Sequence, residues 1–193
     1  MNHFMELIED ETFDKHNFTE SPLAKAEYER CVFKNCDFSN INLESIKFID
    51  CEFMACNLSL AALSKTGFRE VKFKDCKMLG LLFYNCNASG FTVSFDNCNL
   101  NHSSFYQTKN KNTNFKNTQL NETDFTECDL TNTVFDNCDL MNAKFENTIL
   151  EKCDFTTSFN YSIDPAINRI KKAKFSLQGI PGLLDKYDIE IEN

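Results

Sequence analysis

Ten cysteines stand in a chain of 193 residues, at Cys31, Cys36, Cys51, Cys56, Cys76, Cys86, Cys98, Cys128, Cys138 and Cys153. Thiols in that number could hold zinc, close disulfides or supply a nucleophile. Cys31/Cys36 and Cys51/Cys56 are C-x4-C pairs, the widest spacing that structural zinc sites use. No leader-like start (a basic run followed by an apolar one) precedes them in MNHFMELIEDETF. Reduced, free thiols in a cytoplasmic chain are therefore expected. The 29 carboxylates could pair as general acid and base, but many Asp stand beside Asn at one recurring place, where a turn asks for either. His3, His16 and His102 are scattered, and neither G-x-S-x-G nor a glycine-rich phosphate loop occurs. The sequence predicts no catalytic residue, no metal and no cofactor. A formal charge of −9 argues against nucleic-acid binding, and no apolar stretch approaches the ~18 residues of a membrane span.

The backbone that must position these residues has a period of five. In TECDLTNTVFDNCDLMNAKFENTIL, Leu130, Phe135, Leu140, Phe145 and Leu150 recur at that interval, which suits neither helix nor plain strand. With the large residue called i, the series runs from Phe13 to Ala88, slips by two, and resumes from Phe95 to Phe155. It makes 29 units, and 17 of the 20 Phe fall at i once Phe175 is included. Position i−2 holds all ten cysteines and elsewhere mostly small or β-branched residues such as Thr108, Thr118 and Ala143, with His16 also there; i−1 favours Asp and Asn, and i+2 favours Asn. One small and one large inward side chain per five residues describe a short extended segment followed by a tight turn. Such units bury their apolar side only by winding into a solenoid. Four units per coil would stack residues 20 apart at about 4.8 Å, with Cys acting as a small core residue interchangeable with Thr and Ala.

The pattern small/Cys/Thr–Asn/Asp–Leu/Phe–x–x resembles that of pentapeptide-repeat proteins over roughly residues 11–159. The resemblance implies an all-β fold, a right-handed quadrilateral parallel β-helix with a short C-terminal helix and strand cap. Residues 1–160 would form the helix, with a slip near 87–94, and residues 161–193 a final unit, cap and dimerisation segment. Ser176 is placed to cap a helix through Leu184, and YDIEIEN alternates like a strand. Within the family the chain is most similar to the Qnr-type quinolone-resistance group, through its acidity, its mid-chain interruption and the tail FSLQGIPGLLDKYDIEIE. That similarity implies a homodimeric rod that mimics duplex DNA, binds DNA gyrase or topoisomerase IV and protects it from quinolones. The dimer is expected through Phe159, Tyr161, Ile163, Leu177, Ile180, Leu183, Leu184 and Ile189, with the first three partly exposed on a monomer. Partner contacts are placed at Ser89, Gly90 and Phe91 of the slip and at Asp96, Asp124, Asp136 and Glu146. Across coils, Lys109 is expected opposite Asp129, Lys116 opposite Asp136 and Asp124 opposite Lys144. The alternative is a scaffold of the same shape that serves an unrelated partner.

Overall fold

A computed structural model describes residues 5–192. Each unit is a few extended residues closed by a turn. At i+2 the backbone enters the left-handed region, with φ of 54° at Asn35, 57° at Asn40, 52° at Asn137 and 52° at Asn147. Asn tolerates that conformation better than most residues, which explains its recurrence there. The i−1 carboxylate or amide then locks the turn by accepting from the N–H two residues on. Asp37 accepts from Ser39 at 2.9 Å, Asn42 from Glu44 at 2.9 Å and Asp124 from Thr126 at 2.9 Å.

Four units make one coil of a right-handed quadrilateral β-helix. One sheet contains β1 (Glu6–Glu9), β3 (Ala26–Glu29), β5 (Lys47–Ile49) and β7 (Gly67–Arg69). The other has nine strands: β2 (Thr12–Asp14), β4 (Val32–Lys34), β6 (Glu52–Met54), β8 (Val71–Lys74), β9 (Val93–Asp96), β10 (Asn114–Lys116), β11 (Val134–Asp136), β12 (Asp154–Phe155) and β13 (Lys174–Phe175). All pairings are parallel, and Phe115 lies in register with Phe135, so the 20-residue coil holds. Nine strands at about 4.8 Å give a rod of about 38 Å.

The nine-stranded face carries an unbroken column of Phe. Phe115 and Phe135 stack with centroids 5.1 Å apart and planes within 3°, and Phe135 continues to Phe155 at 4.7 Å. Neighbouring columns meet edge to face, as Phe125 meets Phe135 at 5.9 Å and 84°. Both geometries suit the ring quadrupole.

The i−2 side chains do more than fill space. Thr66, Thr133, Thr148 and Ser158 donate to the carbonyls of Leu43, Asn110, Phe125 and Phe135 at 2.7–2.9 Å. Cys138 and Cys153 aim their thiols at the carbonyls of Phe115 and Leu130 in the same manner. Cys, Thr and Ser alternate at i−2 because each is small and carries one donor, a role wider than the small core residue expected from the sequence.

Register passes from 20 to 22 between β8 and β9, where Val71 pairs with Val93. Asn87 N–H still reaches the Thr66 carbonyl, whereas Thr92 N–H reaches Phe68, so the extra residues lie between Asn87 and Thr92. Gly90, at φ +72°, makes the turn that Cβ-bearing residues resist. Ala88, counted as the last i position of the first series, is exposed. Phe91 packs inward instead, edge-on to Phe68 and Phe83. The reason is the two added residues, which carry Ala88 outside the coil.

The tail departs from expectation in two ways. Leu177–Leu183 is a 3-10 helix, not an α-helix, capped by Ser176 accepting from Gly179 N–H. Pro181 inside it and the close seat of Gly179 and Gly182 against Tyr161 favour the tighter winding. Residues 188–192 form no strand: Asp188 turns left-handed at φ 47°, and Ile189 and Ile191 are both exposed.

Candidate functional site

The expected partner residues do not converge. Ser89 and Gly90 are exposed on the slip, and Phe91 is half-buried beside them. Asp96 and Asp136 project from the nine-stranded face two coils apart, whereas Asp124 and Glu146 belong to the face that carries Phe125 and Phe145. Two faces and the slip therefore share the set.

The three expected opposites, Lys109 with Asp129, Lys116 with Asp136 and Asp124 with Lys144, are neighbours in register as expected, but the ion pairs between coils choose other partners. Lys116 reaches Asp96 at 3.8 Å and not Asp136, and Asp129 meets Lys111 at 3.0 Å and not Lys109. Asp124 and Lys144 are neighbours in register without an ion pair. In a ladder a charge has equivalent neighbours above and below, and turn geometry decides between them. Burial pushes the Asp129 carboxyl up, but hydrogen bonds from Thr131 and Lys111 outweigh it and hold the group low. Between residues 95 and 160, Asp124, Glu127, Asp136, Asp139 and Glu146 have no Lys or Arg partner among the described residues. Glu122 meets only His102. The second half of the rod thus carries open negative charge.

Burial divides the expected dimer surface. Phe159 is 46% exposed, Leu177 83%, Ile180 38% and Ile189 55%, while Leu183 and Leu184 are half-buried. Tyr161 and Ile163 are not exposed as expected but are buried. The tail covers them: Ile163 N–H donates to the Gly182 carbonyl at 2.8 Å, and the Tyr161 ring lies 5.8 Å from that of Phe175. A concavity of about 470 Å³ remains among Met141, Phe159, Tyr161, Gln178 and Asp185. Lys186 and Asp164 tie the tail to the last coil.

No group of three or more His, Cys, Asp or Glu among the described residues could hold a metal ion. All ten thiols are free, nine of them buried and Cys86 half-buried. Burial pushes Cys51, Cys128, Cys138 and Cys153 up to about 12. Sequence reasoning missed one surface. Leu60, Leu82 and Tyr84 are exposed midway along the rod, and Tyr84 and Tyr106 meet edge-on at 6.4 Å. The signal was present as large residues at outward positions of the repeat.

No helix of the described residues is long and apolar enough to cross a membrane. None of the curated protein sequences matches the chain. The fold is similar to that of full-length QnrB1, a plasmid-mediated fluoroquinolone resistance protein, with TM-score 0.54 and 15% identity over 95% of this chain and 100% of that one. A trypsin-treated variant of QnrB1 aligns with TM-score 0.61 and 15% identity over 98% and 100%. HetL of the cyanobacterium Nostoc, a pentapeptide-repeat protein involved in heterocyst differentiation regulation, aligns with TM-score 0.47 and 13% identity over 92% and 90%. The family model for the pentapeptide repeat region matches residues 26–92 and 88–159. With its five-residue period, left-handed corners and square coils, this chain belongs to the pentapeptide-repeat family.

Proposed function

We propose that the protein is a cytoplasmic homodimer that occupies the DNA-binding saddle of a type II topoisomerase, DNA gyrase or topoisomerase IV, and blunts quinolone poisoning. The observation that carries this reading is the open negative charge of Asp124, Glu127, Asp136, Asp139 and Glu146, spread over the faces of the rod's second half without Lys or Arg partners among the described residues. A surface built to hold phosphates attracts such a rod, and the attraction fades with salt. The whole-length likeness in fold to QnrB1 supports the choice of partner. Two rods joined end to end through Phe159, Leu177, Ile180 and Ile189 would measure about 75 Å at strand spacing, and one apolar patch used twice is the commonest way to close a pair.

The test is gyrase supercoiling and topoisomerase IV decatenation with a fluoroquinolone while the protein is titrated in. Recovery of activity at micromolar protein, weakening between 50 and 200 mM salt, is expected. No recovery with either enzyme would overturn the proposal and leave the rod as a scaffold for another partner.

A further inference from the structure

Backbone bonds from the i−1 N–H tie each coil to the one before it at most positions; among the described residues the bond is missing at Asn42, Leu82 and Asp164 as well as at Lys109, which follows the slip. Asp124 N–H donates to the Ser103 carbonyl and Asp129 N–H to Thr108, both at 2.9 Å. The equivalent bond from Lys109 N–H to the Cys86 carbonyl is missing, and Lys109 N–H has no other partner among the described residues. The cause is the slip, which lifts Ala88 to Gly90 away from the coil that follows. Next in the chain, Asn110 occupies an i position as a polar residue. It is 2% exposed, and neither its amide nitrogen nor its oxygen has a hydrogen-bond partner. Unpaired buried groups of this kind are costly and rare in folded proteins.

The opened seam faces a concavity of about 490 Å³ whose lining is mostly apolar, with Phe83 buried behind it and Tyr84, Phe91 and Tyr106 around it. Lys109 stands at the same wall, and no carboxylate lies within ion-pair distance of its ammonium among the described residues. In an acidic protein, a cation left free beside an unpaired N–H and four aromatic rings is an unusual combination. The size lies in the range of small-molecule sites.

We propose that this gap binds a small aromatic carboxylate. The ring sits among Tyr84, Phe91 and Tyr106, and the carboxylate accepts from Lys109 N–H and pairs with the Lys109 ammonium. Apolar walls supply burial for a planar ring, and two donors at one residue select a negative acceptor over a neutral one. Asn110, the next residue along the same seam, is buried and does not line the concavity. This site shares Phe91 with the slip, where partner contacts are expected, but ligand binding there does not depend on the topoisomerase reading.

The experiment uses the purified protein alone, with 2-naphthoate as probe and 2-naphthylmethanol as its neutral counterpart, both titrated by calorimetry. Saturable one-site binding of naphthoate is expected, with the alcohol weaker by about tenfold or more. Ala88→Trp, at an exposed position, fills the mouth, and Lys109→Glu reverses the charge. Each should weaken naphthoate by about tenfold or more while leaving the far-UV spectrum and melting temperature unchanged. Absence of saturable binding at millimolar naphthoate would overturn the proposal, as would equal affinity for the alcohol or unchanged affinity in Ala88→Trp. Loss of topoisomerase protection in Ala88→Trp without naphthoate binding would assign the gap to a partner protein's side chain, and so also overturn it.

Discussion

Phe135→Ala is the sharpest probe of the fold. Phe135 is 1% exposed and stacks on Phe115 at 5.1 Å and on Phe155 at 4.7 Å, with Phe125 and Phe145 edge-on at 5.9 and 6.5 Å. Truncating a buried Phe to Ala costs ~3–5 kcal/mol. Neighbouring coils cannot collapse into the hole without breaking register, which places this site toward the upper end. Phe175 belongs to the same column but is half-buried, with ring contacts to Phe155 at 5.4 Å and Tyr161 at 5.8 Å. Phe175→Ala should cost roughly 1–2 kcal/mol, about half the burial of a full side chain together with one aromatic pair. Urea unfolding followed by far-UV circular dichroism measures both, and an unchanged m value would show that the transition still involves the whole rod. A cost below ~2 kcal/mol for Phe135→Ala, or equal costs at the two sites, would refute the stacked-column account.

Alkaline pH should destabilise the protein steeply. The buried thiols are held up near 12 while unfolded thiols titrate near 9, so the folded chain retains protons that the unfolded chain releases. Stability is therefore intact below pH 9 and falls between 9 and 12 by up to ~1.4 kcal/mol per pH unit per thiol, read as urea midpoints from pH 7 to 10.5. Leu60, exposed and at φ 59°, occupies a left-handed corner; Leu60→Asn should raise stability by ~0.5–1 kcal/mol in the same assay, and a loss would contradict the strain argument. Leu177→Asp, at an 83% exposed position, should leave the melting temperature unchanged while shifting sedimentation from dimer to monomer; a dimer that persists would move the interface elsewhere.

Legibility followed the repeat. Phe33, Phe115 and Phe135 announced their columns because a strict five-residue phase admits one winding, and the slip announced itself when the phase jumped from Ala88 to Phe95. Asn at i+2 and Asp at i−1 pointed correctly to turns, since their chemistry is local. What remained hidden depended on contacts across coils or outside the rhythm. The thiol-to-carbonyl bonds of Cys138 and Cys153 require the previous coil to be in place. The choice of Asp96 over Asp136 by Lys116 is a choice between neighbours of equal register. Tyr161 and Ile163 looked exposed because nothing in their spacing says that Gly179 and Gly182 lay the tail over them. The opened seam at Lys109 leaves no mark in composition, because it is a bond that fails to form.

The parallel ladder also orders events in time. Every strand from β3 onward pairs with one that left the ribosome 20 or 22 residues earlier, so a coil has its template as soon as it is made. Folding can proceed vectorially, by addition to a growing end, and needs no distant segment still to be translated. The clasp that covers Tyr161 and ties Lys186 to Asp164 emerges only after the coils it covers. Until then the newest coil presents bare strand edges, and a chain stalled before residue 176 would end in a surface primed for aberrant pairing.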